Sequence, residues 1–295
     1  MHYPKITVIT PSFNSSRFIE STLKSVIDQQ YPNLEYIVMD GGSTDGTLEI
    51  IARYEKHLAT WVSEKDLGQY DAINKGFAKS SGEILCWLNA DDMLLPNSLF
   101  LVADIFRNLP QVEWLSSLKP GSWDANGHLV SVDILPGFSQ KSFLDGLYLP
   151  TTNKKGYWLQ QESTFWRRSL WEKSGSSIPN YRLAGDFALW CAFYEHTDLY
   201  GVDYPLAGFR MIEGQRSEDI HNYMLQANEA LSQLRKQLGW TPHFSRLLNY
   251  GKLSQIPRVR HWLKSKLGYS GQRITKTNLR SLDAPWKIES DSFLP

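Results

Sequence analysis

The amino-acid sequence predicts an α/β protein with a doubly wound parallel sheet. Two observations in the first 110 residues lead to this prediction. Short apolar runs rich in β-branched residues alternate with longer segments in which apolar residues recur at helical spacing. Each apolar run is followed by a polar, turn-prone stretch. Strands of a parallel sheet are buried on both faces, so they read as continuous apolar runs between helices.

Four strands and two helices can be assigned in order along this part of the chain. The predicted strands are KITVIT (5–10), EYIVMD (35–40), ATWVSE (59–64) and EILCWL (83–88). The first helix follows the capping-type pair Ser15 and Ser16 and carries apolar residues at helical spacing over 18–27. The second follows the turn STDG and covers residues 48–55.

The loops that follow the strands are predicted to form one binding site. They are PSFN (11–14), DGGSTDG (40–46), KDLGQYDAINKG (65–76) and NADD (89–92). In open α/β sheets, ligands bind outside the carboxyl ends of the strands, where such loops meet. Adjacent carboxylates such as Asp91 and Asp92 are costly unless a metal ion supplies positive charge. We therefore expect Mg²⁺ or Mn²⁺ together with a diphosphate ligand.

Charge is divided unevenly along the chain, although it sums to zero. The 295 residues contain 31 basic and 31 acidic side chains, but residues 230–295 hold twelve Lys and Arg against three acids. Cys86 and Cys191 lie in apolar surroundings and make no disulfide framework, which favours a reducing, cytoplasmic location. We expect neither a signal peptide nor a membrane span, because no apolar stretch reaches the required length.

Five motifs, in order, resemble glycosyltransferase family 2 with the GT-A fold. They are ITVITPSFN, DGGSTDGT, SEKDLGQYDAINKG, GEILCWLNADD, and QQESTFWRRSLWEKSG followed by YRLAGDFALW. The resemblance covers residues 5 to 217 and implies a Rossmann-like, mostly parallel sheet flanked by helices. It also implies inverting transfer of a sugar from a UDP-, GDP- or dTDP-sugar to an acceptor hydroxyl. A glycan or lipid-linked acceptor and bacterial surface polysaccharide or glycolipid assembly would follow.

The resemblance assigns roles in the donor site position by position. Pro11 and Asn14 would border the nucleoside, and Asp40 would contact the base or ribose. The third loop would line the nucleotide and the donor sugar through Asp66, Gly68 and Asp71, with Lys75 near the phosphates.

The motif NAD, residues 89–91, stands where the family has Asp-x-Asp. Asp91 would therefore bind the metal ion, with Asp92 beside it in the metal or ribose shell. Asn89 replaces the first Asp, which lowers the charge offered to the ion. Relatives often carry a His in a later segment that reaches the metal, whereas this chain has Ile212 there. Both departures predict a weakened metal site.

The second half is expected to supply the acceptor site and the base. Inverting transfer needs a carboxylate that removes the proton of the attacking hydroxyl. By resemblance Asp186 would be this base. The acceptor side would include Gln161, Glu162 and Trp190, with Trp190 packed behind the base. The expected division is a nucleotide-sugar half (1–110), an acceptor and base half (111–225) and a basic, helical C-terminal extension (226–295).

Other interpretations of the same residues stay open. Asp91 and Asp92 are also consistent with solvated loop acids or a helix N-cap, Asp186 with an N-cap, and Asp45 with a turn former. The basic extension fits a peripheral contact with an anionic membrane or, equally, a solvated face or a subunit contact; nucleic acid is not expected. A non-catalytic nucleotide-sugar-binding protein with a degenerate metal site is the alternative function.

Two other classes of enzyme are excluded by their motifs. A haloacid-dehalogenase-like phosphatase needs Asp where STDGT (43–47) begins with Ser43. A dinucleotide dehydrogenase needs Gly-x-Gly-x-x-Gly at the first helix, and PSFNSSR (11–17) contains no glycine.

Overall fold

A nine-stranded sheet forms the centre of the protein. The computed structural model describes residues 3–149, 157–243, 257–278 and 284–294, without the side chains of residues 260 and 261. The strands are β1 (Ile6–Ser12), β2 (Leu34–Asp40), β3 (Thr60–Ser63), β4 (Ile84–Trp87), β5 (Met93–Leu94), β6 (Trp114–Ser117), β7 (Gly121–Trp123), β8 (Leu129–Val132), β9 (Thr164–Arg167), β10 (Tyr200–Val202), β11 (Ala207–Arg210), β12 (Tyr269–Lys276) and β13 (Trp286–Phe293). Their order in the large sheet is β13-β12-β10-β6-β9-β4-β1-β2-β3.

The large sheet is mostly parallel, as the alternation of strands and helices predicts. β1 runs parallel to β2 and β4, and β2 parallel to β3. β9 runs antiparallel between β4 and β6, and β13 is antiparallel to β12. A second sheet has the strand order β5-β11-β7-β8, and all four of its strands follow β4 in the sequence. The predicted α/β fold class is confirmed.

Helices flank the sheet. They are α1 (Ile19–Ile27), α2 (Thr47–Tyr54), α3 (Gln69–Ala78), α4 (Ser98–Asn108), α5 (Gln140–Asp145), α6 (Arg168–Lys173), α7 (Gly185–Tyr194), α8 (Ile220–Gln237) and α9 (Pro257–Leu267). The four predicted strands and two predicted helices all form, within a few residues of the expected bounds. In α1 the residues Ile19, Leu23 and Val26 are fully buried, which is the apolar stripe that its spacing predicts.

Tryptophan rings in contact connect α7 to strands β4, β6 and β9 of the large sheet. Trp190 of α7 stacks on Trp87 of β4 with ring centroids 5.9 Å apart, and on Trp114 of β6 at 5.7 Å. Trp166 of β9 contacts both Trp87 and Trp190 edge-on. The helix that carries Asp186 is thereby fixed to the strand that precedes the NADD loop. Cys86 and Cys191 are buried free thiols, as expected.

The C-terminal extension is only partly helical, which corrects the prediction. α8 and α9 are helices, but β12 and β13 form an antiparallel hairpin in which β12 pairs with β10. The hairpin therefore extends the central sheet. Alternating apolar residues, such as Trp286 and Ile288, favour strands here. Residues 244–256, on which part of the membrane-contact prediction depends, lie outside the described residues. Among the described ranges, no helix combines the length and the apolarity that crossing a bilayer requires.

The expected domain boundaries do not separate independent sheets. The boundary at 110/111 falls in the connection between α4 and β6, but that at 225/226 falls inside α8. One sheet runs through all three expected segments, since β4 pairs with β9 and β10 pairs with both β6 and β12.

A buried carboxylate attaches the extension to the rest of the protein. Asp145, at the end of α5, accepts hydrogen bonds from Trp240 Nε1 (3.0 Å), the backbone N–H of His243 (2.9 Å) and the Tyr269 hydroxyl (3.0 Å). Asp145 is fully buried, and so is Tyr269, so loss of the carboxylate would remove this acceptor from one buried and two part-buried donors.

We expect Asp145→Ala to lower the free energy of unfolding by about 3 kcal/mol, because one buried hydroxyl and two part-buried N–H groups lose this charged acceptor. Urea denaturation followed by circular dichroism measures the change. Asp133→Ala, which removes an exposed carboxylate, is the matched control. Equal stability of the two variants would contradict an anchoring role for Asp145.

Candidate active site

The loops that follow β1, β2 and β3 meet at one edge of the sheet, as predicted. Asn14 takes the left-handed conformation (φ 47°) and bonds to the second loop twice. Its backbone N–H donates to Ser43 Oγ (2.7 Å), and its side-chain oxygen accepts from Thr44 N (2.9 Å). Pro11 pairs with the end of β2. Phe13 lies against Gly41 with 63% of its surface exposed, and sequence reasoning did not select it.

Asp40 and Asp66 shape these loops. Asp40 is buried and accepts hydrogen bonds from the N–H groups of Gly42 and Ser43 and from the hydroxyls of Ser43 and Ser63. Its oxygens are thus occupied by its own surroundings, whereas the resemblance implies contact with a base or ribose. Asp66 accepts from Gly68 N (2.8 Å) and packs against Gly41, where a Cβ atom would lie 2.7 Å from the carboxylate. Gly41 is therefore required for this approach. Asp45 is a turn former, accepting from Ser16 N and Thr47 N.

The helix α3 begins at this edge, after Gly68 in a conformation with φ 119°. Asp71 in its first turn accepts from Leu67 N (3.0 Å) and pairs with Lys75 (3.1 Å). Lys75 also lies 3.5 Å from Glu64. The charge of Lys75 is therefore shared by two carboxylates in this structure, rather than turned to an open phosphate site.

A compact set of carboxylates follows β4. Asp92 is fully buried; its Oδ1 accepts from the backbone N–H of Arg210 (2.8 Å) and its Oδ2 from Asn89 Nδ2 (3.0 Å). Glu162 shares a hydrogen bond with Asp92. Burial, with the negative charges of Glu162 and Asp91, raises the pKa of Asp92 well above its ordinary value. Burial likewise raises the pKa of Glu162 to about 7. Burial and the neighbouring charges thus disfavour two ionised carboxylates at this position.

Asn89 links this set to α3. Its side-chain oxygen accepts from Gln69 Nε2 (2.5 Å), and its Nδ2 donates to Asp92 and, at 3.3 Å, to Gln161 Oε1. Asn89 therefore positions its neighbours with both ends of its amide. The N-cap interpretation of Asp91 and Asp92 is wrong, because the strand β5 follows them and Asp92 is buried.

Asp91 is the half-buried member of the set. Its backbone carbonyl accepts from Arg210 Nε (2.5 Å), and its Oδ2 accepts one long hydrogen bond from Gln215 Nε2 (3.4 Å). Burial raises the pKa of Asp91 above its ordinary value, against the hydrogen bond from Gln215 and the charge of Arg210. The hydrogen bond from Gln215 and the charge of Arg210 therefore offset only part of the effect of burial on this carboxylate.

A divalent ion fits this position with one protein carboxylate. Within the described part of the chain, no three His, Cys, Asp or Glu side chains are grouped to hold a metal ion. Asp92 faces Arg210 N and Asn89 Nδ2, so Asp91 is the acid of the NADD loop left for an ion. Mg²⁺ and Mn²⁺ accept such sites, since they keep several waters and bind phosphate oxygens. The donor set therefore fits an ion completed by a diphosphate and water.

Asp186 lies in the first turn of α7, after Ala184 at the N-cap, so the N-cap interpretation is wrong. The hydroxyls of Tyr70 (3.3 Å) and Tyr223 (3.5 Å) both lie against its Oδ1. Burial raises the pKa of Asp186 to about 6, although the N–H of Phe187 and the Tyr70 hydroxyl lower it. A carboxylate with this pKa is ionised at neutral pH and still accepts a proton readily.

The backbone before Asp186 is held by two side chains distant in sequence. Gln226 of α8 accepts from the N–H groups of Leu183 (2.8 Å) and Ala184 (3.2 Å). The Tyr70 hydroxyl donates to Leu183 O (2.7 Å). Gly185 permits this packing, since a Cβ there would lie 2.7 Å from the Tyr70 ring. Sequence reasoning missed Tyr70, Tyr223 and Gln226, for which no local motif exists.

The predicted acceptor-side residues lie at different depths. Gln161 is buried and donates to Trp87 O (2.7 Å), and Glu162 is buried beside Asp92. Trp190 is 1% exposed and lies in the core behind Asp186, so it supports α7 and offers no surface to an acceptor. The assignment of Trp190 to the acceptor side is thereby corrected to the packing role.

Arg216 brings a positive charge to the site, and sequence reasoning did not select it. Its guanidinium donates to Gln69 Oε1 and to Arg182 O, and lies 5.7 Å from the centre of the Tyr70 ring. Arg216 lies four residues after Ile212, in the segment where relatives often carry a His. Ile212 donates its N–H to Gln215, the residue that contacts Asp91.

Sequence comparison gives the family. Residues 7–134 match the model described as Glycosyl transferase family 2. An uncharacterized glycosyltransferase of Mycobacterium tuberculosis is 34% identical over 190 residues, covering 62% of this chain and 66% of the relative. The matched residues belong to glycosyltransferase family 2. The chain is also 31% identical over 109 residues to the poly-beta-1,6-N-acetyl-D-glucosamine synthase of Staphylococcus epidermidis, covering 36% of this chain and 26% of that protein.

Solved structures show the same fold. S. aureus TarS 1–349 in complex with UDP-GlcNAc superposes with a TM-score of 0.57 at 19% identity, over 89% of this glycosyltransferase and 85% of that chain. The mannosyltransferase PcManGT from Pyrobaculum calidifontis, in complex with GDP-Man and Mn²⁺, gives a TM-score of 0.51 at 19% identity, over 89% and 84% of the two chains. The fold of this family 2 chain is that of the GT-A glycosyltransferases.

We expect Asn89→Asp, which restores the first acid of the family motif, to destabilise this glycosyltransferase. The change replaces the donor to Asp92 by a like charge, so the free energy of unfolding at pH 8 in EDTA should fall by about 2 kcal/mol. Addition of Mn²⁺ should recover part of the loss. Urea denaturation compares this variant with Asn228→Asp, an exposed control on α8. Unchanged stability would show that the Asn89 amide is not needed.

Proposed function

We propose that this protein is an inverting, metal-dependent glycosyltransferase that transfers a sugar from a nucleoside diphosphate sugar to an acceptor hydroxyl. One observation carries the proposal. Adjacent residues at the start of α3 contact the two parts of the site: Gln69 bonds to Asn89 of the NADD loop, and Tyr70 bonds to Asp186. The metal-binding side and the base side thus flank one position, where the reacting sugar would lie.

Asp186 is the proposed general base. It takes the proton of the acceptor hydroxyl as the oxygen forms its bond to the anomeric carbon, on the face opposite the departing nucleoside diphosphate. The first turn of α7 and the hydroxyls of Tyr70 and Tyr223 hold the carboxylate in one orientation. Such fixed orientation supplies much of the rate enhancement in a bimolecular transfer.

The proposed leaving-group side combines Asp91, Arg216 and the start of α3. A divalent ion bound to Asp91 would supply positive charge to the diphosphate as it departs. Arg216, which lies over Tyr70 and bonds to Gln69, is the guanidinium best placed for a phosphate oxygen. We prefer Arg216 to Lys75 for this role, since Lys75 is paired with Asp71 and Glu64.

The donor is proposed to be a UDP-, GDP- or dTDP-sugar bound by the loops that carry Pro11, Asn14, Asp40 and Asp66. The ligands named with TarS and PcManGT, UDP-GlcNAc and GDP-Man, support this class. A glycan or lipid-linked acceptor in polysaccharide or glycolipid assembly agrees with the relationship to polysaccharide-synthesising enzymes. The proposed place of action is the cytoplasmic face of the membrane.

Asp91→Asn should abolish metal-dependent nucleotide binding, because the amide lacks the charge that holds the ion. Thermal stabilisation by UDP, GDP or dTDP, with and without Mn²⁺, measures this. The wild-type protein should be stabilised by one nucleotide when Mn²⁺ is present. Asp133→Asn is the exposed control and should behave as wild type. A variant at Asp91 that kept full metal dependence would refute the assignment.

Asp186→Asn should lower the rate at least ~100-fold while nucleotide binding is unchanged, as expected for loss of a general base. The assay is release of nucleoside diphosphate from the stabilising nucleotide sugar. In the wild type the rate should rise with pH and level above about 6, because the base must be ionised. Glu195→Gln, beyond the other end of α7, is the control.

Two outcomes would go against the base assignment. Parallel loss of nucleotide binding and rate in Asp186→Asn would indicate a structural role for the carboxylate. Nucleotide binding by the wild type with no turnover of any nucleotide sugar would favour a non-catalytic binding protein.

A further inference from the structure

An exposed tryptophan lies close to Asp186. Trp158 is 41% exposed, although tryptophan carries a large apolar surface that folding normally buries. Among the described tryptophans, Trp262 of α9 is the other one classed as exposed, at 57%. Neither the donor site nor the packing of the core accounts for Trp158.

The backbone around Trp158 is fixed rather than loose. Leu159 is buried, and the side chain of Gln160 donates to Gly121 O (2.8 Å). Gln161 follows, with its amide bonded to Trp87 O (2.7 Å). These contacts hold the indole ring at the surface, so its exposure is a property of the folded site.

The ring is connected to the proposed base through one aromatic neighbour. Trp158 contacts Tyr223 with ring centroids 5.7 Å apart and planes inclined at 56°. The hydroxyl of Tyr223 lies 3.5 Å from Asp186 Oδ1. The indole therefore stands beside the base, separated from it by the width of a tyrosine, which is within the reach of an oligosaccharide that presents a hydroxyl to Asp186.

We propose that Trp158 is an acceptor subsite that stacks on the apolar face of a pyranose ring. The C–H groups on one face of such a ring match an indole surface, while its hydroxyls remain free for polar groups. Tyr223 would then link binding of the pyranose ring to placement of its hydroxyl at the base, since it contacts both the indole and the carboxylate. This inference rests on the proposed function and names its acceptor class as a glycan.

The test compares Trp158→Ala, Trp158→Phe and the control Trp262→Ala. Binding to an array of immobilised pyranose oligosaccharides, built from glucose, galactose, mannose and N-acetylglucosamine units, is measured with UDP and Mn²⁺ present. Trp158→Ala should weaken glycan binding by about tenfold or more, since aromatic stacking is worth about 1.4 kcal/mol. Trp158→Phe should retain part of the binding, and Trp262→Ala all of it.

Donor measurements separate this inference from the proposed function. Trp158→Ala should keep wild-type thermal stabilisation by nucleotide and wild-type hydrolysis of the nucleotide sugar in the absence of acceptor. If the wild type shows neither, the proposed function fails. The Trp158 inference alone is overturned if the donor properties are normal and Trp158→Ala binds glycans as the wild type does, or if the wild type binds none of them. An equal loss of donor binding in Trp158→Ala would also overturn it.

Discussion

The site depends on how the protein tolerates several carboxyl groups at the end of one buried strand. Asp92 and Glu162 share a hydrogen bond, so one of the two need not carry a charge, and Asp92 also accepts from Arg210 N and Asn89 Nδ2. These contacts satisfy the buried acids without using an ion. Asp91 is the half-buried member of the set, and its Oδ2 accepts one long hydrogen bond, from Gln215.

Arg210 explains why the small sheet lies beside this loop. The strand β11 places the Arg210 backbone N–H on Asp92, and the side chain reaches Asp91 O and the Ser21 hydroxyl of α1. Thr22 of α1 adds hydrogen bonds to Ala90 O and Asp92 O. Segments far apart in sequence thus converge on four residues, which fixes the direction in which Asp91 points.

The sequence predicts the features that depend on short, continuous stretches of residues. Apolar runs with helical segments between them mark β1 to β4, and the rule that strand ends share an edge brings their loops together. Arg210, Tyr223 and Gln226 belong to no recognisable sequence motif. Their contacts form only when elements that are distant in sequence pack together. The hairpin of β12 and β13 was missed for a related reason, because basic residues mask the alternation on which a strand prediction depends.

The roles proposed for the carboxylates differ because their partners differ. Burial raises the pKa of both Asp91 and Asp186 above the ordinary value; for Asp186 the N–H of Phe187 and the Tyr70 hydroxyl partly offset burial, and its pKa is about 6. That value suits a group that must be ionised at neutral pH and yet take a proton. The Asp91 carboxylate accepts one long hydrogen bond, from Gln215 Nε2. A cation bound to it would therefore compensate its negative charge. Gln69 and Tyr70 lie between the NADD loop and Asp186, so the proposed cation and base positions share one edge of the sheet.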